Sequence, residues 1–277
     1  MEELSGRSAV VIGGGSGIGR GISLALADAG MNVAVADIEL ASAEAVAKEV
    51  GEKGTRSLSA RDATSSDELA VLADRVRAEF GAVHVLSNNA GVSFDRPLAE
   101  CADDDWMWVM SVNLHSIVRG VSAFVAEMKA QGGESHIVNT ASMAGLIALS
   151  HSRHVPANIG VYTASKYAVV GFSEMLRGEL APFGIGVSVL CPGLVKSNLA
   201  ATSARNRPDR FGGPAPAPGP MPAALEKISM PAEEAGRIVV RGIRANRLHI
   251  LTHPENRGLV EQRFAGILAD FDFAAGD

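Results

Sequence analysis

The chain has 277 residues, 47% apolar and 20% charged, with 30 Gly and 12 Pro, the composition of a compact folded protein and not of a disordered or fibrous one. A formal net charge of −6 leaves no basic excess to neutralise phosphates and argues against a nucleic-acid partner. Its two cysteines, Cys101 and Cys191, lack metal-ligand spacing, so no metal site and no disulfide framework is expected, and the expected location is a reducing cytoplasm.

At the N-terminus, MEELSGRSAVV carries acids where a signal peptide carries bases, and no run approaches the roughly 18 continuous apolar residues of a membrane span. No membrane association is expected. Short β-branched runs then alternate with longer segments of helical period. Ala9 to Ile12 is followed by a helix from Gly17, Val33 to Ala36 by a helix from Ala41, and then Arg56 to Ser59. The alternation continues through Val83 to Leu86, a helix from Asp103 to Ala130, His136 to Thr140, a helix from Ile159 to Ala181, Gly186 to Leu190 and Leu248 to Leu251. Because βα alternation with right-handed crossovers gives a parallel sheet covered on both faces, the expected fold is α/β: a doubly wound, Rossmann-type, seven-stranded sheet in one domain over 1–277. Six prolines between Arg207 and Pro222 rule out helix or central strand there. A loop of that length after a strand's carboxyl end reads as a substrate lid, placed at about 197–230.

The first strand runs into Gly13-Gly14-Gly15-Ser16-Gly17-Ile18-Gly19 and a helix, so backbone amides and a helix N-terminus converge where a pyrophosphate can sit. Asp37 follows Gly19 by eighteen positions, at the end of the second strand. A carboxylate there accepts hydrogen bonds from ribose hydroxyls and repels a 2′-phosphate, which favours NAD over NADP. Further on, Tyr162 and Lys166 stand four apart in YTASK, on one helix face. A phenol of pKa near 10 is a poor base at neutral pH, and an adjacent ammonium is expected to bring it toward the working range.

The order of these residues is more specific than any one of them. Gly13/Gly17/Gly19, Asp37, Asn88-Asn89-Ala90-Gly91, Asn113, Ser142, Tyr162/Lys166 and Pro192-Gly193 follow one another on successive βα units. Over essentially the whole chain the sequence resembles the short-chain dehydrogenase/reductase family in its single-domain form. The resemblance implies a nicotinamide-dependent oxidoreductase. By it, Ser142 holds the substrate oxygen, Tyr162 is the acid/base, Lys166 binds the nicotinamide ribose and lowers the Tyr162 pKa, and Asn113 anchors a water in the proton relay. It further implies that Asp62, with Ala63, contacts adenine, that Asn89, Ala90 and Gly91 line the adenosine side, and that Val195 and Ser197 hold the carboxamide. Asn88 reads equally well as a turn residue that stabilises the sheet.

Two departures from the family pattern stand out. Ile12 occupies the position of a Thr before the first glycine. Ser142 precedes Tyr162 by twenty positions, where the family leaves about a dozen, so His151 to Ala157 looks inserted. Ser150 has the more usual spacing, but HIVNTAS puts Ser142 at the strand's carboxyl end, where ligands bind in open α/β sheets. The inserted His151, Arg153 and His154 fit a polar surface excursion. The insertion and the Pro-rich segment are expected to meet over the nicotinamide end as a two-part lid.

The expected reaction is hydride transfer between NAD and a secondary alcohol or ketone. Phe94, Met143, Ala144, Leu146, Ile147, His151, Leu194, Leu199 and Met221 flank the expected site, which points to an apolar or aromatic small-molecule substrate. GIGVSVLCPGLVKSN and LTHPENRGLVEQRF resemble the branch that includes dehydrogenases of lignin-derived aryl ethers. Trp106 and Trp108 read as helix packing, and His84 as a hydrogen-bonded strand residue. Other readings are an NADPH-dependent carbonyl reductase and a non-catalytic dinucleotide-binding regulator on the same fold. The family resemblance implies a homotetramer or homodimer packed through the helices beginning near Asp103 and Ile159.

Overall fold

Alternate residues of the first strand, β1 (Ser8–Ile12), point to opposite faces of a sheet, and all five are buried and all but Ser8 apolar because both faces are covered. The structure, a computed structural model, describes residues 1–61, 65–148, 158–216, 219 and 221–276. Six further strands, β2 (Asn32–Asp37), β3 (Ser57–Arg61), β4 (Val85–Asn88), β5 (Ser135–Thr140), β6 (Ile185–Cys191) and β7 (His249–Leu251), complete one sheet in the order β3-β2-β1-β4-β5-β6-β7. Every pairing is parallel. On one face Ala9, Val11, Val33 and Val35 pack against the helices α1 (Gly17–Asp28), α2 (Leu40–Gly51) and α9 (Ala232–Arg244). On the other, Val10, Ile12 and Leu86 pack against α3 (Ser66–Phe80), α5 (Ser116–Ala130) and α6 (Gly160–Leu180). Helices α1 and α9 touch backbone to backbone: a Cβ on Gly21 would lie 2.0 Å from Ala232 O, and one on Gly236 would lie 2.0 Å from Gly21 O.

The expected helix from Asp103 to Ala130 is interrupted. Its first part, α4 (Asp103–Met110), passes through a π-helical turn at Ser111–His115 into α5. By length and composition this helix is apolar enough to cross a membrane, but Ile117, Phe124 and Met128 of its inner face are buried in the cores beside the sheet. The C-terminal α10 (Arg257–Ala275) buries none of its residues fully.

After β6 the chain leaves the sheet and returns to the same place. Val195 and Met230 form a parallel bridge, with Lys196 N donating to Met230 O (2.9 Å) and Met230 N to Leu194 O (2.9 Å). The excursion between them holds α7 (Leu199–Arg205), a 3₁₀ turn at Asp209–Phe211 and α8 (Ala223–Ile228). The two helices flank the stretch from Arg207 to Pro222 that is expected as a loop, and among its described residues only the 3₁₀ turn is helical.

Candidate active site

Connections from β1 and β4 leave the sheet in opposite directions, and the crevice that opens between adjacent strands at such a switch point is where α/β sheets bind ligands. Here it is a cleft of about 920 Å³, lined by the turn after β1, the Asn89–Gly91 segment after β4, the ends of β5 and β6, and the excursion. The glycines of the turn leave no room for side chains. A Cβ on Gly13 would lie 2.5 Å from Ala90 N, and one on Gly15 would lie 2.8 Å from Asp37 Oδ2. Ser16, which precedes α1, makes no side-chain cap, so the first amides of a twelve-residue helix remain available at the cleft wall formed by Gly17 and Ile18. Such a cradle fits a pyrophosphate. The turn is braced without the Thr that Ile12 replaces: Asn89 Nδ2 donates to Gly13 O (3.0 Å), and Asn89 N donates to Ile12 O (2.8 Å).

At one end of the cleft Asp37 accepts from Gly15 N (2.9 Å) and from Glu39 N (3.0 Å). Burial pushes its carboxyl above the ordinary value, and those backbone donors work against the rise. Glu39, beside it, accepts from both Arg205 and Asn206 of the excursion, and these partners hold its carboxyl below the usual range. The excursion, expected as a lid over the other end of the cleft, reaches the Asp37 end as well, because α7 carries Arg205 there. His151 to Ala157, the other half of the expected lid, lies outside the described residues, as do Ser150, Asp62 and Ala63.

At the opposite end Ser142, Tyr162 and Lys166 share the cleft wall. Ser142 follows β5 by two residues, accepts from Ala144 N (3.1 Å), and hydrogen-bonds the Tyr162 phenol. One helical turn beyond Tyr162, Lys166 Nζ donates to Thr140 O (2.9 Å) and lies 5.5 Å from the Tyr162 ring centroid. Electrostatics here differ from the expectation that Lys166 lowers the phenol's pKa. Burial dominates both groups: it raises Tyr162, against the Ser142 hydrogen bond, and lowers Lys166 to about 8, since a low-dielectric site disfavours either charged form.

Asn113 sits within the π-helical turn and is wholly buried, behind the cleft and not on its wall. Its Oδ1 accepts from Val92 N (2.7 Å), while Nδ2 donates to Val92 O (3.0 Å) and to Ser165 Oγ (2.9 Å). A Cβ on Gly91 would lie 3.4 Å from Asn113 Oδ1 and 3.5 Å from Lys166 Nζ, which shows how closely the two approach. Gly19 also lies off the wall, packed beneath the turn, where a Cβ would meet Gly13 O at 1.9 Å. The other expected cofactor contacts, Gly13, Ser16, Gly17, Ile18, Asp37, Asn89, Ala90, Gly91, Pro192, Gly193, Val195 and Ser197, line the cleft. Asn88 turns inward and donates to Asn139 Oδ1 (2.8 Å), in keeping with the sheet-stabilising alternative.

The expected substrate contacts divide. Leu194, Leu199 and Met221 line the cleft. Met143, Ala144 and Ile147 are buried in the core instead, because the chain turns inward straight after Ser142. Phe94 is drawn off the wall by an edge-to-face contact with Trp108 (6.0 Å) and by the Arg207 guanidinium above its ring. Trp108 packs as expected but also lines the cleft, as does Phe211. Sequence reasoning missed Thr140: its carbonyl fixes Lys166, and its hydroxyl donates to Asn89 Oδ1 (3.1 Å). The signal was its place in HIVNTAS, two residues ahead of Ser142.

The short-chain dehydrogenase family model matches residues 7–208, and the chain belongs to that family of oxidoreductases. It is 33% identical to a C alpha-dehydrogenase of Sphingobium sp. over 97% of this chain and 87% of that protein. The structure of a short-chain dehydrogenase/reductase from Burkholderia phymatum, in complex with NAD, superposes with a TM-score of 0.85 at 32% identity, covering 98% of this chain and 97% of that one. A short-chain dehydrogenase from Novosphingobium aromaticivorans gives a TM-score of 0.79 at 33% identity, covering 97% and 88%.

Proposed function

We propose that the protein is an NAD-dependent dehydrogenase that oxidises a secondary alcohol bearing an apolar or aromatic group, or reduces the matching ketone. The observation that carries this reading is the placement of Ser142, Tyr162 and Lys166 at one end of a cleft whose other end presents Asp37. Hydride acceptance is the chemistry that a bound nicotinamide supplies. The chain supplies proton management: the Tyr162 oxygen takes the alcohol proton, and Ser142, already bonded to that phenol, orients the substrate oxygen. Lys166, held by the Thr140 carbonyl, would bind the nicotinamide ribose and, with Asn113 behind it, fixes the local geometry. The Gly-rich turn and the N-terminus of α1 hold the pyrophosphate, and Asp37 reads the ribose hydroxyls.

Trp108, Leu194, Leu199, Phe211 and Met221 on the wall support an apolar or aromatic substrate, as does the likeness to a C alpha-dehydrogenase. Closure of the excursion excludes water from the reacting centre. Met107, Val118 and Met175, exposed on α4, α5 and α6, are the surface through which a homodimer or homotetramer would pack. The test is absorbance at the reduced-nicotinamide band with NAD and NADP across aliphatic, aryl and steroidal secondary alcohols. Turnover of an aryl alcohol with NAD is expected. Equal efficiency with both coenzymes, or a preference for polyols, would overturn the corresponding part of the proposal.

A further inference from the structure

Glu39 sits at the Asp37 end of the cleft in a set of donors that suits an anion larger than itself. Its Oε1 accepts from Arg205 and from Asn206 Nδ2 (3.1 Å), and its Oε2 faces Ser42 Oγ at 3.5 Å. A guanidinium, an amide and a hydroxyl converging on one anionic group is the arrangement by which proteins bind phosphate. Glu39, Ser42 and Asn206 all line the cleft beside Asp37. Arg20, directly after the Gly-rich turn, is committed elsewhere, held by Glu49 (2.6 Å) and Glu233 (2.6 Å). Asp37 has both oxygens engaged by backbone amides. Arg205 remains 58% exposed, so its pairing with Glu39 is a solvent-facing one that a stronger anion can displace.

We infer that Glu39 occupies a latent phosphate site formed by Arg205, Asn206 and Ser42, and that this occupation, and not Asp37 alone, excludes coenzymes carrying a 2′-phosphate. The inference rests on the NAD reading above and adds the residue that enforces it. The carboxylate repels the phosphate and also consumes the donors that would welcome it. The same contacts tie α7 of the excursion to this wall, so the coenzyme-discriminating residues and the lid share one ion pair.

Calorimetric binding of ADP-ribose and of 2′-phospho-ADP-ribose to the intact protein tests this without turnover. Wild-type protein is expected to bind ADP-ribose at least about tenfold tighter. Glu39→Gln should tighten 2′-phospho-ADP-ribose by about tenfold or more, and Arg205→Met in the Glu39→Gln background should abolish that gain. A gain that persists without Arg205 would reduce Glu39 to a merely repulsive charge and overturn the inference while leaving the NAD reading intact. No gain in Glu39→Gln would overturn it likewise. Wild-type protein that binds both ligands equally would overturn the inference and the NAD reading together.

Discussion

Tyr162 and Lys166 are held where charge is disfavoured, and that is the physical problem the site has to solve. Burial raises the phenol and lowers the ammonium to about 8, so proton transfer from an alcohol depends on the few groups that offset it. Tyr162→Phe deletes only the hydroxyl. It should lower kcat by about a hundredfold or more, the scale of a general acid–base group, while calorimetry finds coenzyme affinity unchanged. Lys166→Met should lower kcat without moving the limb of the kcat–pH profile, because burial and not Lys166 sets the phenol's pKa; a limb moved to higher pH would return to Lys166 the expected role of lowering it. The pairing of Tyr162 with Lys166 was legible in the sequence because it lies in side-chain type and linear spacing, whereas Ser142 was legible from its place at a strand's carboxyl end and against its spacing to Tyr162. Thr140 was not, since it acts through a backbone carbonyl whose aim is set by tertiary structure. Met143 and Ala144 were misread for a related reason: adjacency to Ser142 in sequence does not place a side chain on the cleft when the chain turns inward.

Among the elements, the excursion after β6 is fixed to the walls it covers. Ser93 N donates to Ser203 Oγ (2.9 Å), and Arg207 donates to Asp105 Oδ1 (2.6 Å), a carboxylate that is only 1% exposed and also binds Arg96 (2.8 Å). The Arg207 guanidinium lies 5.0 Å from the Phe94 ring centroid and 4.9 Å from that of Trp108. Arg207→Met leaves Asp105 with Arg96 and the Ala102 amide, both on Oδ2. We expect a loss of about 2 kcal/mol, below the 3–5 kcal/mol of a wholly unpartnered buried charge, and a several-fold rise in KM for the alcohol. Thermal melts and faster tryptic cleavage after Arg210 would register the first effect, and steady-state kinetics the second. An unchanged KM would make this contact purely structural. Helix periodicity foretold one helix from Asp103 to Ala130 but not the π turn within it, because an apolar stripe continues across an inserted residue. The turn falls where the buried Asn113 amide makes its three hydrogen bonds.

For the molecule as a whole, the βα alternation revealed the parallel sheet, since a strand buried on both faces reads as an unbroken apolar run. The pH response follows from a buried base far from the cleft. His136 on β5 donates from Nε2 to Ser188 Oγ (2.7 Å), whose own hydroxyl donates to Arg247 O, and burial lowers its pKa from 6.5 to about 3. The unfolded chain takes up a proton that the folded one refuses. Stability from this group is therefore complete above about pH 6.5 and is lost as pH falls toward 3, on the order of 4 kcal/mol. His136→Asn should flatten the acid limb of the melting temperature between pH 4 and 6.5. A mutant whose limb keeps its slope would locate the acid sensitivity elsewhere. Lys166 acts at the other end of the scale: the folded state releases its proton near 8 and the unfolded state near 10.5, so this group adds stability as pH rises between them.

The bridge between Val195 and Met230 has an evolutionary consequence. Since the two ends of the excursion are clamped side by side by main-chain bonds, the intervening stretch resembles a cassette plugged into a fixed socket. Doubling the length of such a loop costs only about 0.6 kcal/mol in closure entropy, so inserts of different size and composition are interchangeable there without disturbing the sheet. Because Arg205 and Asn206 of that cassette also meet Glu39 beside Asp37, a lineage, or an engineer, that swaps it changes what faces both ends of the cleft at once.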